Sequence, residues 1–227
     1  MIRSIVISCV LSLYLLLPSI TVTAQTITMD LTGPAGNNSG GVYTYPYDFT
    51  LNGSGSYQLM CTTFNREITN GESWAATTLG VSDLNATTVQ GLEFPSAGVE
   101  GYLEASYLFV EEVTAYDNSN SDSEGLYNWA VWDLLLGTDP SASALSTSDQ
   151  AAVQSYLTAD QTLGNNGSLT TSQFSNVVVY TPTDLSPSGP QEFMGYGTPV
   201  TPIPEPSTVM LTGLGVAGLL GICRRRK

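Results

Sequence analysis

The 227-residue chain contains no histidine, only six lysine and arginine residues, and three cysteines. Without histidine there is no Ser-His or Cys-His nucleophile pair, no imidazole metal ligand and no ordinary side chain that titrates near neutral pH. Several common routes to catalysis are thereby closed, and the sequence predicts a protein that is not an enzyme. The few bases are also displaced to the ends: Arg3 lies early, and Arg224, Arg225, Arg226 and Lys227 come last. Between residues 25 and 203 only Arg66 remains against nineteen acids, a formal charge of −18 for that stretch. A body this acidic is repelled by nucleic acid and by anionic membrane surfaces. Cations, cationic polymers or basic proteins are its electrostatically sensible partners, although the same charge also serves solubility.

Long apolar runs are confined to the two ends. Arg3 is followed by the apolar stretch Ile5–Leu17, a break at Pro18, and Val22-Thr23-Ala24 before Gln25. A basic start, an apolar middle and a small residue at the cut predict a secretory signal peptide over residues 1–24, read by Sec export machinery. Residues 198–227 form three joined pieces: a proline-rich run ending in Pro204-Glu205-Pro206-Ser207, the uncharged stretch Thr208–Cys223, and the basic cluster Arg224, Arg225, Arg226, Lys227. Prolines lack the amide donor and fix φ, so the first piece predicts an extended, accessible linker. The second predicts a short transmembrane helix, below the roughly 20 residues usual for a span. The terminal cations would stop it on the cytoplasmic side of the inner membrane.

This order of parts resembles the PEP-CTERM sorting signal. The resemblance implies a temporary anchor, cut near Pro204-Glu205-Pro206-Ser207 by an exosortase, in a bacterium that makes exopolysaccharide. The released protein would then pass to the cell surface or extracellular matrix. An ordinary anchor that is never cut is the alternative. Loss of both ends removes Cys9 and Cys223 and leaves Cys61 alone, so no intramolecular disulfide can form at an oxidising destination. Such a thiol is buried, paired between molecules, or chemically engaged.

Residues 25–197 are enough for one exported domain. Gln25–Leu31 alternates apolar and polar residues and predicts a first strand. Val42–Leu51 and Ser56–Phe64 flank Asn52-Gly53-Ser54-Gly55, a hairpin signal, and Glu72–Leu79 predicts another strand. The period then changes. Tyr102–Phe109 has a helical apolar face with Glu104, Glu111 and Glu112 outside, and Leu126–Leu136 reads as a buried helix stopped at Gly137. Ser148–Ala159 predicts a third helix, with Ser148 or Thr147 as its cap. Phe174–Thr181 and Gln191–Tyr196 return to strand. Strands, helices and strands predict an α+β domain: a β-sandwich or barrel-like core with a helical insertion at about residues 100–160.

Two constellations could carry chemistry. The segments Leu59-Met60-Cys61 and Asn128-Trp129-Ala130-Val131-Trp132 are similar to the cysteine strand and the Q-x-A-[VI]-W motif of thioester domains in bacterial surface adhesins. The resemblance implies a cross-link from Cys61 to residue 128 that captures amines, but Asn128 stands where that family has Gln and is one methylene shorter. An inert buried Cys61, with Asn128 bonded to the backbone, is the other reading. Asp117, Asn118, Asn120, Asp122 and Glu124 alternate oxygen-bearing side chains that could wrap Ca²⁺, without the spacing of an EF-hand. A solvated loop is the plainer reading. No other cofactor is indicated. The expected function is therefore a sorted surface or matrix protein whose body is structural or adhesive, with exopolysaccharide or surface proteins as partners. A covalent adhesin is the first alternative, and an enzyme acting on matrix polysaccharide is the second.

Overall fold

The computed structural model describes residues 25–197, except Ala35, Asn37, Ser121, Asp122 and Glu124. The expected signal peptide, sorting motif, transmembrane segment and basic tail lie outside the described residues. Among the described residues there are eight strands: β1 (Thr26–Pro34), β2 (Asn38–Ser39), β3 (Val42–Tyr43), β4 (Tyr47–Leu51), β5 (Ser54–Cys61), β6 (Ser73–Gly80), β7 (Val177–Pro182) and β8 (Phe193–Tyr196). Six of them close into a barrel in the order β1-β4-β5-β8-β7-β6, while β2 and β3 form a separate ribbon. Every pairing is antiparallel. The α+β expectation holds, and of sandwich or barrel the chain adopts the barrel.

Local chemistry explains the strand boundaries. Between β4 and β5, Leu51 pairs with Ser54 across the two-residue loop Asn52-Gly53. Asn52 and Gly53 have φ of 52° and 68°, the left-handed values that a tight hairpin turn demands and that Asn-Gly supplies. The expected strand Val42–Leu51 is divided into β3 and β4 because Pro46, which has no amide donor, stands between them. The register puts Cys61 opposite Phe193 on one face and Met60 opposite Met194 on the other. All four are buried, so this part of the barrel is covered on both sides. One side holds an aromatic cluster in which Phe193 lies 4.8 Å from Phe49 and 5.5 Å from Tyr47.

The chain between β6 and β7 supplies the other layer. It contains α1 (Gly98–Asp117), α2 (Leu126–Leu136), α3 (Ser141–Ala144) and α4 (Thr147–Asn165), with α1, α2 and α4 packed on one another. Phe109 of α1 meets Tyr196 of β8 at 5.0 Å, fixing the helical layer to the barrel. Gly137 ends α2 with φ 62°, as the stop expected there requires. The cap of α4 is Ser146, one or two residues before the expected position, and its Oγ accepts from the Asp149 amide at 3.3 Å. The strand expected from Phe174 begins at Val177, because Thr171–Phe174 forms a short helical turn closed by Thr170 and Gln173.

Two acids expected outside are inside: Glu104 is 6% exposed and Glu112 is fully buried. Glu112 accepts from the amides of Gly125 at 2.7 Å and Asn128 at 3.3 Å. Those are unpaired donors at the start of α2, where a carboxylate also meets the positive end of the helix dipole. The glutamate is buried because it completes a second helix.

Candidate functional site

Cys61 ends β5, and Asn128 lies in the first turn of α2. The Asn128 side-chain amide donates to the Cys61 carbonyl at 2.8 Å, and its oxygen accepts from the Tyr45 amide at 3.1 Å. Trp132, one helical turn on, donates Nε1 to the same Cys61 carbonyl at 3.0 Å. The Cys61 Sγ points elsewhere and donates to the Thr63 carbonyl at 3.1 Å. Burial pushes the thiol up to about 12, opposed by the Thr63 and Trp132 hydrogen bonds and assisted by the charges of Glu192 and Glu93. At neutral pH it is therefore a protonated thiol, a poor nucleophile. The structure brings Cys61 and Asn128 together, and the contact it shows runs through main-chain oxygen.

Beside this clamp lies a buried carboxylate that the sequence reading missed. Glu192, fully buried one residue before β8, accepts from Tyr102 Oη at 2.8 Å, Thr62 Oγ1 at 3.2 Å, Thr181 Oγ1 at 2.6 Å and the Glu93 amide at 2.9 Å. Burial raises its carboxyl above the usual range while these donors pull it down. Barrel strands, the chain before α1, and α1 itself therefore meet on one acid. The available signal was an acid placed directly before the apolar pair Phe193-Met194.

Arg66, the only base among the described residues, is also held inside. Its Nη2 lies 2.5 Å from Glu93 Oε1, and its guanidinium donates to the carbonyls of Pro190 at 2.8 Å and Leu185 at 3.0 Å. Burial raises the Glu93 carboxyl to about 7, with Arg66 pulling it down and Glu192 pushing it up. Gln191 donates to the Thr63 and Arg66 carbonyls, completing the junction. The tryptophans are structural here: Trp129 and Trp132 are buried, each 5.1 Å from Phe64.

Of the suggested calcium loop, Asp122 and Glu124 lie outside the described residues. Asp117 ends α1, Asn118 donates its side-chain amide to the Thr114 carbonyl at 2.8 Å, and Asn120 donates to Ser123 Oγ at 3.2 Å. Among the described residues no group of three acids or cysteines is placed to hold a metal ion, and no helix is long and apolar enough to cross a membrane. The motif residues Pro204, Glu205, Pro206 and Ser207 and the basic cluster Arg224, Arg225, Arg226 and Lys227 fall outside the described residues.

Residues 202–227 match the PEP-CTERM protein-sorting motif. No curated protein and no solved structure matches the chain, so the likeness of the body to thioester domains finds no support there. The motif defines a class: exported proteins sorted to the cell surface through an exosortase. This chain carries that signal at its C-terminal end.

Proposed function

We propose that the chain is a non-enzymatic surface or matrix protein, delivered by an exosortase that processes it near Pro204-Glu205-Pro206, and that residues 25–197 act by cohesion or adhesion. The observation that carries this reading is the sorting motif at residues 202–227. The body supports it by what its reactive groups do. Cys61 bonds the end of β5 to the loop after it, Glu192 ties β7 to the residue before β8, and Arg66 holds the loop between β7 and β8 at Leu185. Replacing Pro204, Glu205 and Pro206 together by alanine tests the sorting. Loss of surface retention with accumulation of the uncut chain in the membrane is expected, and an unchanged fate overturns the reading. Hydrolysis of the host's own polysaccharide by the purified protein would overturn its non-enzymatic part.

A second reading, a covalent adhesin, is favoured by one observation: the Asn128 side chain ends 2.8 Å from the main-chain oxygen of Cys61. In that reaction the thiol sulfur bonds to the Asn128 amide carbon, the C–N bond breaks, and the thiol proton leaves with the amine as ammonia. The intact mass of the exported domain, with a thiol count before and after unfolding, separates the two readings. A full mass and one thiol recovered on unfolding leave Cys61 as a core residue. A mass short by one ammonia, with no thiol recovered, establishes the cross-link.

A further inference from the structure

The barrel strand β5 is paired unequally on its two sides. Its ladder with β4 runs from Ser54 to Leu59, whereas its ladder with β8 covers only Leu59, Met60 and Cys61. Among the described residues nothing pairs with residues 54–57 on the β8 side. Ser54, Gly55 and Ser56 are exposed, and Tyr57 is half-buried. A half-open edge of this kind offers backbone donors and acceptors to another strand.

Alternation along the strands decides which groups would meet there. The Thr62 amide donates to the Glu192 carbonyl at 2.9 Å, on the register line that pairs Leu59 with Gly195. Even-numbered residues of β5 and β8 therefore turn their backbone groups toward each other. The Gly197 amide turns the other way and donates to the Asn176 carbonyl at 2.9 Å, just before the start of β7. Extended beyond Gly195, the same register would set Gly197 opposite Tyr57, Thr198 opposite Ser56 and Pro199 opposite Gly55. Thr198 would then bring an amide and a carbonyl to Ser56. Pro199 would fall where its nitrogen points away from β5, so its missing amide costs no bond. Gly55, with φ of 76°, leaves the extended range at that same rung. Both strands thus carry a stop at one level.

We propose that the chain closes this edge with its own next residues: Thr198 adds a rung to β8 by pairing with Ser56, and Pro199 ends the ladder. Odd-numbered positions share the face of Tyr57, whose ring lies against Gly55, where a Cβ would come within 2.7 Å of it. Pro199 covers that half-buried ring. Continuity favours this occupant, because Thr198 directly follows Gly197 and meets the edge at high effective concentration. A strand from a second copy would instead bring together two bodies that each carry nineteen acids against Arg66 between residues 25 and 203. Residues 200–203 remain as the spacer before Pro204. A cut near Pro204-Glu205-Pro206 would leave the rung with the released domain, but the pairing itself does not depend on sorting.

The experiment is amide hydrogen exchange, resolved by residue with NMR, on the full chain in detergent at pH 7. The Ser56 and Thr198 amides should exchange about tenfold or more slowly relative to the Thr201 amide in the spacer. Thr198→Pro removes the donor that faces Ser56 and should speed exchange at Ser56 by about tenfold or more. Thr201→Pro, at a position whose amide makes no rung, should leave Ser56 unchanged. The Met60 amide, inside the established ladder, should stay slow in both variants, which keeps loss of the rung distinct from loss of fold. Exchange at Ser56 as fast as at Thr201 in the parent chain overturns the proposal. Slow exchange that survives Thr198→Pro overturns it equally and gives the edge another occupant, a second copy if dilution abolishes the protection.

Discussion

Asn128 and Cys61 meet through the main chain: the asparagine amide donates to the cysteine carbonyl at 2.8 Å while the cysteine sulfur bonds to Thr63. With the Tyr45 amide on its other end, Asn128 ties the loop before β4 and the end of β5 to the first turn of α2. Its four-atom side chain joins two backbones just beyond the last pair of the β4–β5 ladder, Tyr47 with Leu59.

Asn128→Ala is therefore expected to destabilise the fold by about 1–3 kcal/mol, because the buried Tyr45 amide loses its acceptor. The Cys61 carbonyl keeps Trp132 as a donor, which limits the loss. Urea unfolding followed by tryptophan fluorescence measures it. A change below a few tenths of a kcal/mol would show that the bridge does not hold the layers together.

Asp160 should make the protein less stable as pH rises. Its folded-state carboxyl is raised to about 8, chiefly by burial and then by Glu104, so the folded state holds a proton that the unfolded state releases. Stability is fully present below the unfolded carboxylate range near pH 4, and falls up to about pH 8, by at most about 1.4 kcal/mol per pH unit. Asp160→Asn should flatten that slope. Unfolding curves from pH 5 to 9 check this, and parallel slopes in the two proteins would contradict it.

Arg66→Met leaves Glu93 buried without its cation. Breaking a buried pair from one side costs about 3–5 kcal/mol, and the loss is greatest above pH 7, where Glu93 is ionised while Arg66 is present. At pH 5 the Glu93 carboxyl takes up a proton and the loss should shrink. The sign follows from Arg66 holding that carboxyl down: without it the folded-state value rises further. An equal loss at pH 5 and pH 8 would place the effect of Arg66 in its two carbonyl bonds instead.

The barrel and its insertion were legible where period and turn chemistry agree. Asn52-Gly53 marked the hairpin, Gly137 stopped α2, and Ile27, Met29 and Leu31 alternated along β1. What was not legible was where carboxylates go. Glu104 and Glu112 belong to a helix that touches two other helices and the barrel, so there is no broad polar face to put them on. Glu112 is drawn in by the free amides at the start of a helix whose cap, Gly125, lies thirteen residues later. Glu192 is drawn in by hydroxyls from three separate segments. Such partners are distant in sequence, and no local pattern announces them. Cys61 and Asn128 were singled out from a motif likeness, and their proximity is observed, but the atoms in contact could only be read from the structure.

The closed barrel has a further consequence for a protein that carries a surface-sorting motif. Each of its six strands has a hydrogen-bonded neighbour on both sides, so no barrel strand offers a wholly open edge to another molecule. Growth by strand addition, a route to fibres, is thereby disfavoured. Association of neighbouring barrels then falls to side chains, and the pronounced acidity of the body sets them apart unless something of opposite charge lies between.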